Sequence, residues 1–357
     1  MIKRTLLVLM ALFSVTALAQ QGREGRGQAQ GAGRGAVPAP AAQPWTPPAG
    51  AVEIPYDATA GIVKLPPDVG TLGEVVGVSR NSKGDFFIFT RAGDTRLFQF
   101  DKTGKFTKEI GKDLYAWDFA HTVRVDKEDN IWATDEGSNM VVKFNPQGEV
   151  VMTLGRKWEL VEGRPEQPGR CAPPPVQRPN AFNRPTDVAW DLQGNIFVAD
   201  GYNNSRVAKF TKDGDWVGSV GERGTGPLQF NTPHAIANDS KGLIYVADRA
   251  NNRVQVLNPD LTLKAELKGF GSPWTVCISP APSEFLYSAD PNGHIYKIDL
   301  NGKILGWLGS AGKKVGQFSW IHELHCTSEN ELYVGEIQNW RMQRLMLKPA
   351  ARSSVGG

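Results

Sequence analysis

A motif of four strand-like runs recurs along most of this chain, and the repetition constrains its fold more than any other feature. One copy is HAIANDSKGLIYVADRANNRVQVLNPDLTLKAEL, and another is TDVAWDLQGNIFVADGYNNSRVAKFTKDGDWVGSVG. Turns such as DSKG, TKDG and NPQG separate the runs. Six copies are present, and they begin at Val76, His121, Thr186, His234, Trp274 and His322.

Six repeats of four strands, with no helical period between them, predict an all-β fold, a six-bladed β-propeller. The last copy ends after three strand-like runs. A run at residues 51–54 or at residues 62–65 is therefore expected to supply the outer strand of blade six. Such closure leaves no long edge strand exposed.

The segments flanking the repeats predict an exported protein. Residues 1–19 resemble a secretory signal peptide, with Lys3 and Arg4 before the apolar run LLVLMALFSV and small residues at the expected cleavage site. Residues 20–50 are rich in Gly, Ala, Gln and Pro, which predicts a flexible tether. The propeller is expected over 51–348 and a flexible tail over 349–357. We expect a periplasmic or secreted monomer with no membrane span after cleavage.

The charge distribution argues against nucleic acid as a partner. Residues 1–50 hold five basic side chains and one acidic side chain, a balance of +4, whereas the whole chain has a formal net charge of +3. The remainder is thus near −1, without the basic footprint that nucleic-acid binding requires.

The three cysteines show no metal-type spacing. The sequence predicts that Cys277 and Cys326 are unpaired buried thiols on strands and that Cys171 lies in a loop.

Three of the five histidines occupy the same repeat position, the residue that begins the innermost strand of a blade. We call this the entrance position, and the end of the central channel where it lies the mouth. His121, His234 and His322 hold it in blades two, four and six, so their imidazoles should face the axis about 120° apart. Three histidines with an open fourth position are typical of a catalytic zinc site. His325 should point elsewhere on its strand, and His294, in a PNGH turn, should face solvent.

Three further side chains are expected at the mouth. Arg249 and Arg91 each lie fifteen residues after an entrance position, and Tyr202 lies sixteen after one. Two guanidinium groups can grip a carboxylate, and a tyrosine beside a divalent cation can accept a proton. The Pro-rich insert at 156–185 joins blades two and three at the mouth. It is either a lid or specificity loop, or a surface insertion without function.

Several motifs resemble a known family. PHAIANDSKGLIYVADRANNRVQVL is typical of NHL-type propellers. LGEVVGVS, IFTRAGD, RPTDVAW, VADGYNNSR and WIHELHCTSENELYVGE resemble the peptidyl-α-hydroxyglycine α-amidating lyases, the lyase half of peptidylglycine α-amidating monooxygenase. This resemblance implies a six-bladed propeller with zinc on His121, His234 and His322. It also implies that Tyr202 is the catalytic tyrosine and that Arg91 and Arg249 are the functional arginines.

The resemblance has departures that affect the expected cross-links and a second metal. Two disulfides that it implies are absent, since Asn183 and Asn203 stand at one pair of positions and Tyr245 and Val256 at the other. The family's structural calcium has an aspartate ligand after the last histidine, where this chain has Glu323. Glutamate can bind calcium, so Glu323 is the candidate ligand.

The implied activity is cleavage of a peptidyl-α-hydroxyglycine to a peptide amide and glyoxylate. The partner would be a small-molecule or peptide substrate with a terminal carboxylate. Two other functions remain open: an exported, non-enzymatic NHL propeller that binds a peptide or glycan, and a calcium-dependent propeller hydrolase or lactonase.

Overall fold

A computed structural model describes residues 45–157 and 178–348. The chain divides into two units, Met1–Trp45 and Thr46–Gly357, and every described strand lies in the second. The signal peptide, most of the tether, the centre of the insert, Cys171 and the tail lie outside the described residues.

Within the described residues, the chain forms twenty-five strands and one short 3-10 helix, Arg249–Asn251, and the strands build six blades. Blades one to three are β3 to β6 (Glu74–Arg80, Phe86–Arg91, Arg96–Phe100, Phe106–Ile110), β7 to β10 (Ala120–Val125, Ile131–Asp135, Met140–Phe144, Val150–Gly155) and β11 to β14 (Asp187–Trp190, Ile196–Asp200, Arg206–Phe210, Trp216–Val220).

Blades four to six complete the ring. They are β15 to β18 (Pro233–Asn238, Ile244–Asp248, Arg253–Leu257, Leu263–Lys268), β19 to β22 (Thr275–Ile278, Leu286–Ala289, Ile295–Ile298, Ile304–Leu308), and β23 to β25 (Ile321–Ser328, Glu331–Glu336, Arg341–Leu347) with β2 (Tyr56–Ala60). Each blade is antiparallel, except that β1 (Val52–Glu53) adds a fifth, parallel strand to the edge of blade five. The all-β, six-bladed propeller predicted from the repeats is confirmed.

The predicted closing strand is wrong in position. The strand that completes blade six is β2, which pairs with β25, whereas residues 52–53 extend blade five. The sequence YDATA gives a weak strand signal because an outer strand is half exposed and needs few apolar side chains. Ile62 and Leu65 instead pack into the apolar cluster between blades one and six.

In the described part of the chain, six apolar clusters form the core, one at each contact between neighbouring blades. The cluster between blades six and one contains Val75, Phe86, Tyr333 and Met342, so the first and last repeats are packed together like any other pair. The core therefore lies around the channel in sectors and holds the innermost strands at a fixed distance from the axis.

The cysteines on neighbouring innermost strands are paired, which corrects the expectation of unpaired thiols. Cys277 of β19 and Cys326 of β23 form a disulfide, with Cα atoms 5.9 Å apart. The two residues are 49 positions apart in sequence, and only the side-by-side packing of blades five and six brings them together.

Candidate metal centre

The three entrance-position histidines converge in the channel. Their ring centroids are 4.6 Å apart for His121 and His234, 4.6 Å for His121 and His322, and 5.1 Å for His234 and His322. The side chains are buried, and one nitrogen of each lies within 4.8 Å of the others. No other group of three or more His, Cys, Asp or Glu side chains in the described ranges meets the same criterion.

A one-residue bulge aims each histidine at the axis. In blade two, Ala120 pairs with Asp135 and Thr122 pairs with Thr134, which leaves His121 outside the ladder. The pairing shifts in the same way around His234 and His322. The residue skipped by the ladder can turn its side chain into the channel.

Backbone groups of the next blade orient two of the three rings, those of His234 and His322. Nδ1 of His234 lies 2.5 Å from the carbonyl oxygen of Trp274, and Nδ1 of His322 lies 2.9 Å from that of Val76. Trp274 and Val76 are themselves entrance residues. A ring whose Nδ1–H donates to a carbonyl presents a bare Nε2 to a metal. The Nε2 atoms of His121 and His322 have no hydrogen-bond partner.

Burial keeps the three imidazoles neutral. It is the main cause that lowers the pKa of His121 and His234 well below the usual value, and it lowers the pKa of His322 to about 3. Nearby positive charges act in the same direction, among them Arg91 for all three rings. Neutral imidazole is the form that binds metal. The three residues therefore fit a divalent cation of the zinc type.

Tyr202 lies directly beside the histidines. Its hydroxyl oxygen is 3.1 Å from Nε2 of His234, and it accepts a long contact of 3.5 Å from Nη1 of Arg249. Gly201 makes this approach possible, because a Cβ there would meet the carbonyl oxygen of Pro233 at 2.2 Å. Burial first, and Glu136 second, raise the pKa of Tyr202, whereas Arg249 and Arg91 lower it.

The two predicted arginines lie at the mouth in different electrostatic settings. Nε of Arg91 pairs with Glu74 at 2.9 Å, and its Nη1 donates to the carbonyl of Ala120. Arg249 packs over the rings of Tyr202 and Trp274, at 5.2 and 4.7 Å from their centroids. No carboxylate of residues 45–157 or 178–348 forms an ion pair with Arg249. Arg249 is thus the guanidinium best placed to receive an anionic ligand.

Two functional candidates were missed from the sequence, Glu136 and Arg184. Glu136 is 1% exposed, pairs with Arg184 and faces His121. Arg184, at the end of the insert, packs over Tyr202 at 4.4 Å. Glu136 lies fifteen residues after His121, so the spacing that predicts Arg91 and Arg249 also predicts it. No repeat signal marks Arg184, because the insert interrupts the period.

The described residues do not fit the expected calcium site. Glu323 is 2% exposed, and its carboxylate pairs with Nη1 of Arg124 at 3.1 Å and accepts hydrogen bonds from Thr122 and Thr275. Arg124 also pairs with Asp187 at 2.6 Å. The guanidinium of Arg124 thus neutralises the Glu323 carboxylate. The described residues around Glu323 do not form the set of oxygen ligands that calcium requires.

The remaining sequence predictions have mixed outcomes. His325 lies outside the cluster, as predicted, half-buried against Tyr333. His294 is not solvent-facing: it is buried, with Nδ1 3.2 Å from a carboxylate oxygen of Asp290, because the turn folds back on that acid.

In each of the two absent disulfides, the residues that replace the cysteines are neighbours in the structure. The side-chain amide of Asn203 donates to the side-chain oxygen of Asn183 at 2.8 Å. Tyr245 and Val256 are directly opposite each other on neighbouring strands.

The family model described as NHL repeat matches residues 182–210 and 230–257. Peptidyl-alpha-hydroxyglycine alpha-amidating lyase 1 of Drosophila melanogaster is 34% identical over 118 residues, which are 32% of this chain and 18% of that protein. Probable peptidyl-alpha-hydroxyglycine alpha-amidating lyase pgal-1 of Caenorhabditis elegans is 30% identical over 172 residues, 42% of this chain and 44% of that protein. The matched segments therefore span less than half of either relative.

Among solved structures, a gluconolactonase of Xanthomonas campestris superimposes with a TM-score of 0.54 at 14% identity, over 85% of this chain and 99% of that chain. At this identity the likeness concerns the fold alone. The ring of blades defines a six-bladed β-propeller, and two segments in blades three and four match the NHL repeat. Within that class the chain is similar to proteins named amidating lyases, so the resemblance in its motifs is confirmed.

Proposed function

We propose that the protein is a metal-dependent lyase that breaks the C–N bond of a carbinolamide, such as a peptidyl-α-hydroxyglycine, to release an amide and glyoxylate. The observation that carries the proposal is the placement of the Tyr202 hydroxyl 3.1 Å from a ring nitrogen of the three-histidine cluster, beside Arg249. The similarity to amidating lyases supports the same activity.

His121, His234 and His322 would hold the metal, which we propose to be zinc, because three neutral imidazoles are a common catalytic zinc set. Bound there, zinc would supply Lewis acidity that makes a substrate hydroxyl easier to deprotonate. The protein contributes the orientation of the His234 and His322 rings, through the carbonyl groups of Trp274 and Val76, and the burial of all three imidazoles.

Tyr202 and Arg249 act on the substrate directly. For this role Tyr202 must be ionised, a form that Arg249 and Arg91 favour against the effect of burial and that a cation on the three histidines would favour further. The Tyr202 phenolate oxygen then accepts the proton of the substrate hydroxyl as the carbonyl of glyoxylate forms and the C–N bond breaks. The same proton then goes to the departing amide nitrogen, so that the products contain all the atoms of the substrate and nothing is oxidised or reduced. Arg249 binds the substrate carboxylate. Arg91, held by Glu74, adds positive charge at the mouth.

Aromatic side chains at the mouth favour a substrate with an apolar group next to the carbinolamide. Phe119 is 43% exposed and lies under the guanidinium of Arg91 at 4.0 Å. Trp320 is 42% exposed and packs against Trp274, which lies under Arg249. Exposed aromatic rings beside charged groups are typical of binding sites with one apolar and one polar end.

We also propose that the protein is exported. The disulfide between Cys277 and Cys326 agrees with an oxidising compartment. In the parts of the chain that the structure describes, no helix is long and apolar enough to cross a membrane.

The test is an assay of glyoxylate release from α-hydroxyhippurate by the mature chain loaded with zinc. We expect turnover that is lost on chelation and restored by zinc, and a methyl ester of the same substrate should react poorly because it lacks the carboxylate that Arg249 binds. Absence of glyoxylate from the zinc-loaded protein would refute the proposal. A folded protein that takes up no metal would instead favour the binding propeller.

A further inference from the structure

A buried carboxylate faces the histidine cluster with one oxygen unpartnered. Oε1 of Glu136 pairs with Arg184, whereas Oε2 has no hydrogen-bond partner and lies 3.7 Å from Nε2 of His121. Both residues are only 1% exposed. A buried polar atom without a partner is costly, so this arrangement requires an explanation.

The explanation that fits the geometry is a shared cation. Both ring nitrogens of His121 lack a hydrogen-bond partner, so no contact prevents Nε2 from presenting its lone pair to a cation, and Oε2 of Glu136 faces it across a gap too wide for a hydrogen bond. Two ligands at about 2.0–2.2 Å from one tetrahedral metal are separated by about 3.3–3.5 Å. The observed 3.7 Å is close to this separation.

Arg184 fixes the carboxylate in that orientation. Its guanidinium holds Oε1 of Glu136 and covers the ring of Tyr202. The backbone N–H of Arg184 donates to the side-chain oxygen of Asn139 at 2.8 Å, which anchors the end of the insert. A partner that holds the far oxygen of a ligating carboxylate is a common feature of metal sites.

We propose that Glu136 is a fourth protein ligand of the cation held by His121, His234 and His322, that Arg184 is its positioning residue, and that the substrate hydroxyl binds as a fifth ligand. Glu136 lies outside the group of three histidines whose ligand atoms are all within 4.8 Å of one another, so its carboxylate must move toward His234 and His322 to bind the cation. This inference rests on the proposed metal site. It also gives the described end of the insert a function at the mouth.

The test is Glu136→Gln in the full mature chain, with zinc affinity measured by chelator competition and with the visible spectrum of the cobalt-substituted protein. We expect zinc affinity to fall roughly 10–100-fold and the cobalt bands to shift. The matched control is Glu331→Gln, which removes a carboxylate from another Arg–Glu pair, that with Arg344, and should change neither reading.

Unchanged affinity and spectrum in a folded Glu136→Gln protein would overturn the inference and leave the three-histidine site intact. If the folded wild-type protein takes up neither zinc nor cobalt, the inference and the proposed function fail together. If Glu136→Gln does not fold, Glu136→Asp serves instead, because its shorter stem withdraws the carboxylate, and an unshifted cobalt spectrum in that variant would equally overturn the inference.

Discussion

The ring and the backbone of Tyr202 are both held in place at the mouth. Its backbone φ is 21°, and the guanidinium groups of Arg184 and Arg249 both pack on its ring, at 4.4 and 5.2 Å from the centroid. The hydroxyl is thereby held toward His234. A constrained backbone at such a position is common where a side chain must be placed accurately.

Replacing Tyr202 with Phe should lower kcat about 10²–10⁴-fold, because the substrate hydroxyl then has no proton acceptor. Zinc content should stay the same, since the three imidazoles remain. The measurement is glyoxylate release together with metal analysis of the same preparation.

The matched control is Tyr245→Phe, which removes a buried hydroxyl that contacts Asp239 away from the mouth. It should leave kcat unchanged. Equal kcat in Tyr202→Phe and wild type would show that another group accepts the proton.

Repeat spacing predicts which residues lie at the mouth but not their partners. The same offset that places Arg91 and Arg249 there also places Glu136. That Arg249 lacks an acidic partner among the described residues, while Arg91 is paired with Glu74, depends on packing between blades, which spacing does not encode. Arg184 lies near the end of the insert, which interrupts the repeat period, so the spacing of the repeats cannot predict its position.

Among the elements, the innermost strands of blades five and six are linked covalently. Replacing Cys277 and Cys326 together with Ser should lower the free energy of unfolding by about 2–4 kcal/mol, because the link closes a long loop in the unfolded chain. Chemical denaturation under oxidising conditions measures this change.

Cys171→Ser is the control for the cysteine pair, because it removes a thiol and leaves the disulfide intact. The disulfide also predicts that two of the three thiols escape alkylation in the unreduced, denatured protein. Three reactive thiols in that assay would contradict the pairing.

The strands were largely predictable because turn signals and apolar alternation mark each one. The closing strand was not, since Tyr56–Ala60 has only one large apolar side chain, that of Tyr56, and alternates between half-buried and exposed positions. The more apolar runs on either side of it, residues 51–54 and 62–65, were predicted instead. An outer strand is stabilised by pairing with β25 more than by its own side chains.

At the scale of the whole ring, the histidine cluster connects blades two, four and six. Zinc binding should therefore stabilise the entire propeller, by about 4 kcal/mol at a free concentration a thousand times the Kd. Thermal melts should show a zinc-dependent rise in Tm. Calcium should give no comparable rise, because the carboxylate of Glu323 is already paired with Arg124.

His322→Ala should abolish the zinc-dependent rise. His325→Ala, three residues further along the same strand, should keep it even where the basal Tm falls. A zinc effect that survives His322→Ala would place the metal elsewhere.

Because the histidines lie in every second blade, the threefold arrangement of the ligands depends on the number of blades, or sectors, in the ring. Duplication of a repeat without a histidine would give seven sectors. One pair of ligands would then be three sectors apart, while the other two pairs would remain two sectors apart. Loss of a repeat that carries no histidine would make two ligand-bearing sectors adjacent. Tandem arrays gain and lose units readily, yet here a change of a single unit would spoil the threefold spacing while leaving every individual ligand in place.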